Sequence, residues 1–152
     1  MFSTLPVPYY QQLRNGYCLP ACVQMVLAYW GLARSQPELA KQLQTIEDAG
    51  TPASRVKNLA TNNLQVTYSD GELDALRVAL EQNIPPIVFV NTGELPYWSI
   101  ATAHAVVVVG IHNQTVFLND PAKNDYPLEV PLDDFYLAWD EMYNLYALLK
   151  KV

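Results

Sequence analysis

Gln12-Leu13-Arg14-Asn15-Gly16-Tyr17-Cys18-Leu19-Pro20-Ala21-Cys22 is the stretch that organises the chain, because it sets a cysteine where an apolar helix begins. The run continues as Val23-Gln24-Met25-Val26-Leu27-Ala28-Tyr29-Trp30-Gly31, with Pro20 suited to a first helical turn and Gly31 to a C-terminal stop. Cys18 therefore stands at a helix N-terminus. Unpaired N–H groups and the positive end of the macrodipole there favour thiolate over thiol, which lowers a cysteine pKa and creates a nucleophile. An isolated cysteine ahead of an apolar helix also serves as a small buried hydrophobe, so position alone leaves both readings open.

A second segment narrows the choice. In Ala101-Thr102-Ala103-His104-Ala105-Val106-Val107-Val108-Val109-Gly110 a histidine opens a run of β-branched residues that reads as a buried strand. His112-Asn113-Gln114 is a turn signal, and Thr115-Val116-Phe117-Leu118-Asn119 is a second strand ending at Asp120-Pro121. In an antiparallel hairpin the end of the second strand lies beside the start of the first, so Asp120 returns next to His104. Thiol catalysis needs this set: a base to take the thiol proton and a third group to hold that base in one tautomer.

At these residues the chain resembles the bacteriocin-processing, or double-glycine leader, cysteine peptidases, family 39 of the cysteine peptidases. The resemblance rests on Gln12 and Cys18 at the Gln-x5-Cys spacing, on the helix from Ala21 to Gly31, on Ala103-His104 opening a valine strand, and on Asn119-Asp120-Pro121. It implies an α+β, papain-like fold over a single domain, residues 1–152, with a helical part bearing the nucleophile packed on a C-terminal antiparallel sheet. It further implies Cys18 as nucleophile, His104 as general base and acid, Asp120 as the orienting residue and Gln12 as the oxyanion-hole side chain, joined by the backbone N–H of Cys18. Many members carry Asp-Cys-Gly where this chain has Tyr17-Cys18-Leu19, so Leu19 closes space beside the nucleophile. Val7-Pro8-Tyr9-Tyr10 is closer to the lead-in of the free-standing branch than to the transporter-fused one. Gln11 is also available to point into the site.

The activity expected is hydrolysis of a peptide bond through an acyl-thioester, with a peptide or protein substrate, a leader peptide among the candidates, and no metal or organic cofactor. Two alternatives stay open: an acyltransferase in which an amine intercepts the same thioester, and a peptide-binding module that has lost turnover. The substrate sequence and any association with an exporter are not legible.

Composition excludes other classes. Net charge is −6, and the one Lys/Arg cluster is Lys150-Lys151, which argues against nucleic acid. Of the 152 residues 51% are hydrophobic and 16% charged, enough for a core and too few charges for wholesale disorder. No apolar run approaches the roughly 18 residues of a membrane span. Met1-Phe2-Ser3-Thr4-Leu5-Pro6 lacks a basic start and a long apolar stretch, so it is not read as a secretory signal, and a cytoplasmic location is expected. Cys18 and Cys22 share one helix face four residues apart, where a bridge is strained, and lack the second pair a zinc site requires. Cys22 reads as core.

Between nucleophile and histidine the chain is mostly helical. Ser35-Gln36-Pro37-Glu38 starts a helix running to about Thr45, and a short helix is expected over Pro52 to Thr61. Leu64 to Tyr68 reads as a strand, Glu72 to Gln82 as an amphipathic helix and Ile87 to Val90 as a buried strand. The loop from Asn91 to Ser99 carries Tyr97 and Trp98 just before His104; they read either as one wall of a peptide groove or as the loop's own small core. A helix over Leu132 to Trp139 and a strand over Asn144 to Leu149 close the chain. His112, in the hairpin turn, is read as solvated, and Asp125, Asp133 and Asp134 as loop or capping acids rather than rivals of Asp120.

Overall fold

The computed structural model describes residues 3–152; Met1 and Phe2, the first residues of the opening segment discussed above, lie outside the described residues. A six-stranded antiparallel sheet runs through it. Its strands are β1 (Leu64–Asp70), β2 (Ile87–Asn91), β3 (Ala103–His112), β4 (Thr115–Asn119), β5 (Leu128–Pro131) and β6 (Leu145–Lys151), ordered β1-β6-β2-β3-β4-β5. Helices α1 (Cys18–Tyr29), α2 (Gln36–Gln42), α3 (Leu73–Glu81) and α4 (Leu132–Asp140) cover it on two sides.

The continuous apolar runs of β2 and β3 follow from burial on both faces. Ile87, Phe89, Ala105 and Val107 pack with Leu19, Val23 and Val26 of α1 and with Leu39 of α2. Val88, Val90, Val106 and Val108 point the other way, against Leu76 of α3 and Phe135 and Trp139 of α4. Side chains alternating with a period of two thus divide the core into two layers about one sheet.

Helix α1 starts at Cys18 and stops as the sequence indicates. Gly31, at φ +80°, donates to the Ala28 carbonyl at 2.9 Å, and Leu32 donates to Leu27 at 2.8 Å. This is the left-handed termination that glycine permits. No side chain caps the other end, where Tyr17 occupies the N-cap.

Other expectations need correction. Helix α2 ends at Gln42 because Gln44 turns into the left-handed region at φ 56°. The expected helix after Pro52 is a 3-10 turn, Ala53–Leu59. Strand β5 went unread behind Tyr126-Pro127; it is a short edge strand pairing only with β4. Asp133 and Asp134 do not cap α4, whose N-cap is Pro131, but lie in its first turn, where the helix dipole favours carboxylates.

Strands β3 and β4 pair His112 with Thr115 at the turn and Val107 with Asn119 at the open end, with a β-bulge between Val108 and Gly110. The Val109 carbonyl at the bulge accepts the Leu5 N–H at 2.8 Å.

Candidate active site

Cys18 is the first residue of α1 and is half-buried, and α1 packs against β3. The thiol faces the His104 ring, whose interaction with it favours the thiolate. On the ring's other side, Nε2 lies 2.7 Å from Asp120 Oδ1, which leaves Nδ1 to face the sulfur. The structure thus brings Cys18, His104 and Asp120 together. His112 lies at the far end of the hairpin, beside Asn113.

The charges follow from this geometry. Burial pushes the Cys18 thiol up, but the His104 hydrogen bond and charge, with the Ala105 and Leu19 backbone N–H groups, outweigh it and bring it below the ordinary thiol value. His104 is desolvated, which opposes its protonation, yet the bonds to Asp120 and Cys18 raise it to about 9. Burial opposes ionisation of Asp120 too, and its bonds to His104 and Tyr97 overcome that and lower it. The arrangement favours a thiolate and an imidazolium held by a carboxylate. Cys22, one turn further along α1, is fully buried, and desolvation aided by Cys18 and Asp120 keeps its thiol protonated.

Gln12 is held in place from three directions. Its N–H donates to the Pro121 carbonyl at 2.8 Å, tying it to the residue after Asp120. On either side of it, buried Gln36 accepts the Leu13 N–H at 2.9 Å and donates to the Gln11 carbonyl at 2.8 Å. Gln11 therefore serves this loop through its backbone. The Gln12 amide donates to the Arg14 carbonyl at 3.1 Å, which leaves Nε2 a second hydrogen, while Oε1 is buried without a partner.

A cavity of about 420 Å³ opens here, lined by Gln12, Gly16, Cys18 and Leu19, by Asp48 to Ala53, and by Phe89, Trp98, Thr102 to Ala105 and Met142. The Asp48 to Gly50 turn rests on the cysteine loop: a Cβ on Gly16 would stand 2.9 Å from Gly50 N and 3.3 Å from Asp48 N. Nothing in the composition of residues 46–50 marked them as a wall. Leu19 is only 2% exposed, so its side chain is part of the floor.

The structure separates Tyr97 from Trp98. Trp98 lines the cavity and sets its ring edge-on to His104, centroids 4.9 Å apart. Tyr97 does not line it, because its hydroxyl turns to Asp120 Oδ2 at 2.7 Å. Trp98 Nε1 donates to the same oxygen at 3.0 Å. Sequence reasoning placed these aromatics near the base and missed the carboxylate they share; two hydrogen-bonding aromatics just before the histidine were the available signal.

Among the described residues, no helix is long and apolar enough to cross a membrane, and no group of three or more His, Cys, Asp or Glu is placed to hold a metal ion.

Comparison with solved structures shows the same fold. A protein described as a C39-like peptidase from Bacillus anthracis superposes with a TM-score of 0.79 at 18% identity, over 99% of both chains. A double glycine motif protease from an AMS/PCAT transporter, in complex with the leader peptide, gives 0.76 at 20% identity over 99% of this chain and 95% of that one. The peptidase domain of Streptococcus ComA, a bifunctional ABC transporter of a quorum sensing pathway, gives 0.71 at 20% identity over 94% and 97%. A search of curated proteins returns no match. The family model described as Peptidase_C39 like matches residues 4–147, nearly the whole length over which the helix, the hairpin and the cleft are laid out, and the chain belongs to that family.

Proposed function

We propose that residues 1–152 act as one papain-like cysteine peptidase domain that hydrolyses a peptide bond, with a leader-type peptide as substrate. The alignment of Cys18, His104 and Asp120 carries this reading. The Cys18 thiolate attacks the carbonyl carbon, and the carbonyl π electrons move onto oxygen. The second Nε2 hydrogen of Gln12 and the Cys18 N–H stabilise that oxyanion. As the intermediate collapses, the C–N bond breaks and His104 Nδ1 gives its proton to the leaving amine. Neutral His104 then takes a proton from water, whose oxygen attacks the thioester and releases the acid with the Cys18 thiolate restored.

Asp120 remains a carboxylate throughout and holds Nε2, so the proton moves at Nδ1. Leu19 in the floor and Trp98 in the wall limit the residues bordering the scissile bond. The leader-peptide assignment draws support from the similar fold of the protease seen with its leader peptide.

The test is incubation with synthetic peptides that end a leader in Gly-Gly, read by mass spectrometry. Cleavage by the wild type, its absence in Cys18→Ala, and a drop of roughly 100-fold or more in kcat for Gln12→Ala are expected. An alkylation profile of an ordinary thiol, with a pKa of about 8.5 that His104→Ala does not alter, overturns the peptidase reading.

A further inference from the structure

Asp120 is fully buried, and its carboxylate accepts hydrogen bonds on both oxygens. Oδ1 takes His104 Nε2 at 2.7 Å and the Ala122 N–H at 2.9 Å. Oδ2 takes the Tyr97 hydroxyl at 2.7 Å and Trp98 Nε1 at 3.0 Å. A carboxylate offers about four lone-pair sites, so its acceptor capacity is filled.

We propose that Tyr97 and Trp98 are positioning residues that act through Asp120: their two donors fix Oδ2, aim Oδ1 along one line to His104 Nε2, and draw charge from the carboxylate, so that they set how firmly it grips the imidazolium. This rests on the reading of Cys18, His104 and Asp120 as a triad. Both parts follow from the geometry. A buried carboxylate with one oxygen unpaired would rotate toward other donors, and the two bonds to Oδ2 remove that freedom. They also spread negative charge that would otherwise concentrate on His104. An imidazolium gripped too tightly is a poor acid for the leaving amine, because general acids work best with a pKa near the operating pH.

The surroundings keep both donors in service. Burial and the nearby Asp120 charge hold the Tyr97 phenol protonated far above its ordinary range. The Lys123 ammonium lies 4.3 Å from the centre of the Trp98 ring, where a cation makes the indole N–H a stronger donor. Among the described residues, the other ionisable groups that act on Tyr97, His104 and Asp120 include Cys18, Cys22 and Tyr9. Cys22 is kept protonated by burial, and Tyr9 is pushed up to about 12, chiefly by burial and then by Asp120. Changes near neutrality and just above it therefore belong to the Cys18 and His104 pair.

The experiment is a ring-15N histidine titration of wild type, Tyr97→Phe and Trp98→Phe, with the two histidines distinguished by His112→Gln and the fold checked by circular dichroism. Wild-type His104 is expected to titrate near pH 9 with the proton on Nε2 retained above it. Each variant is expected to titrate at higher pH, with roughly a threefold or greater gain in proton affinity. Superimposable curves, or a shift to lower pH, overturn the proposal and reduce the two aromatics to packing. A wild-type His104 that titrates at about 6.5 with an ordinary Cys18 instead removes the triad itself, and this inference with it.

Discussion

Asp120 lies on the same face of its hairpin as His104 because β3 contains one residue more than β4 across from it. From the turn, His112 pairs with Thr115 and Gly110 with Phe117; after the bulge, Val108 pairs with Leu118 and Val107 with Asn119. Continuing that register sets Asp120 opposite Val106, and side chains at 104 and 106 point to one side. Without the bulge Asp120 would fall opposite Val107 and point to the other side, since a slip of one residue exchanges the faces of a strand.

Stability should depend on pH through the same pair. His104 binds its proton more tightly in the folded chain, about 9 against an ordinary 6.5, so its contribution is complete below pH 6.5 and is lost as the pH rises through 9. Cys22 and Tyr97, whose protons are also held in the folded state, add to the alkaline loss. Asp120 and Cys18 have the opposite sign: their values are lowered, so the contribution of Asp120 is present above the ordinary carboxylate range and is lost in acid, and that of Cys18 grows toward the ordinary thiol value and offsets part of the alkaline loss. The melting temperature of the wild type, followed from pH 6 to 10, is expected to fall toward the alkaline end, and His104→Ala to flatten that fall. An equal slope in the two proteins would contradict it.

Gly16 and Gly31 make a controlled pair. Both have φ near +80°, at +83° and +80°, but a Cβ on Gly16 meets backbone at 2.9 Å, whereas one on Gly31 meets nothing within 4 Å. Gly31→Ala should cost only the left-handed strain, about 1 kcal/mol. Gly16→Ala should cost roughly 2 kcal/mol or more, because the neighbours are backbone nitrogens that do not swing aside. It should also slow turnover by displacing the Asp48 to Gly50 wall. Urea unfolding of both variants measures the difference, and equal losses would count against the contact.

Gln36 grips the loop on either side of Gln12 and also donates to Gln24 Oε1 at 2.9 Å. Gln36→Leu removes the acceptor of the Leu13 N–H and the donor to the Gln11 carbonyl, both in exposed residues that water can reach, at about 1 kcal/mol for each bond lost. Loosening Gln12 should lower kcat while leaving the alkylation profile of Cys18 unchanged, since the Gln36 side chain bonds to Leu13, Gln11 and Gln24 and not to Cys18 or His104. Peptide cleavage and alkylation measured side by side separate the two effects, and an intact kcat would show that Gln12 needs no such support.

Much of this was legible in the residues. Cys18 before an apolar helix, Gly31 closing that helix and the valine run behind His104 are local signals, and local chemistry fixes what they form. Tyr97 and Trp98 were legible as neighbours of the base but not as donors to Asp120, because the direction of a loop side chain depends on partners distant in sequence. The bulge at Val109 escaped notice because valine alternates equally well in either register. Gln36 was read as part of a helix start, and its grip on Gln11 and Leu13 depends on a tertiary contact that no local pattern encodes. The 46–50 turn was hidden for the same reason: its place is set by the missing side chain of Gly16.

The depth of Cys22 has a practical outcome. With one sulfur sealed in the core as a thiol and the other at the cleft with its pKa lowered, a mild alkylating reagent should take up one equivalent per folded chain and a second only after denaturation. The protein thus carries its own titrant: reagent uptake counts the folded chains with an open cleft in any preparation, without a substrate.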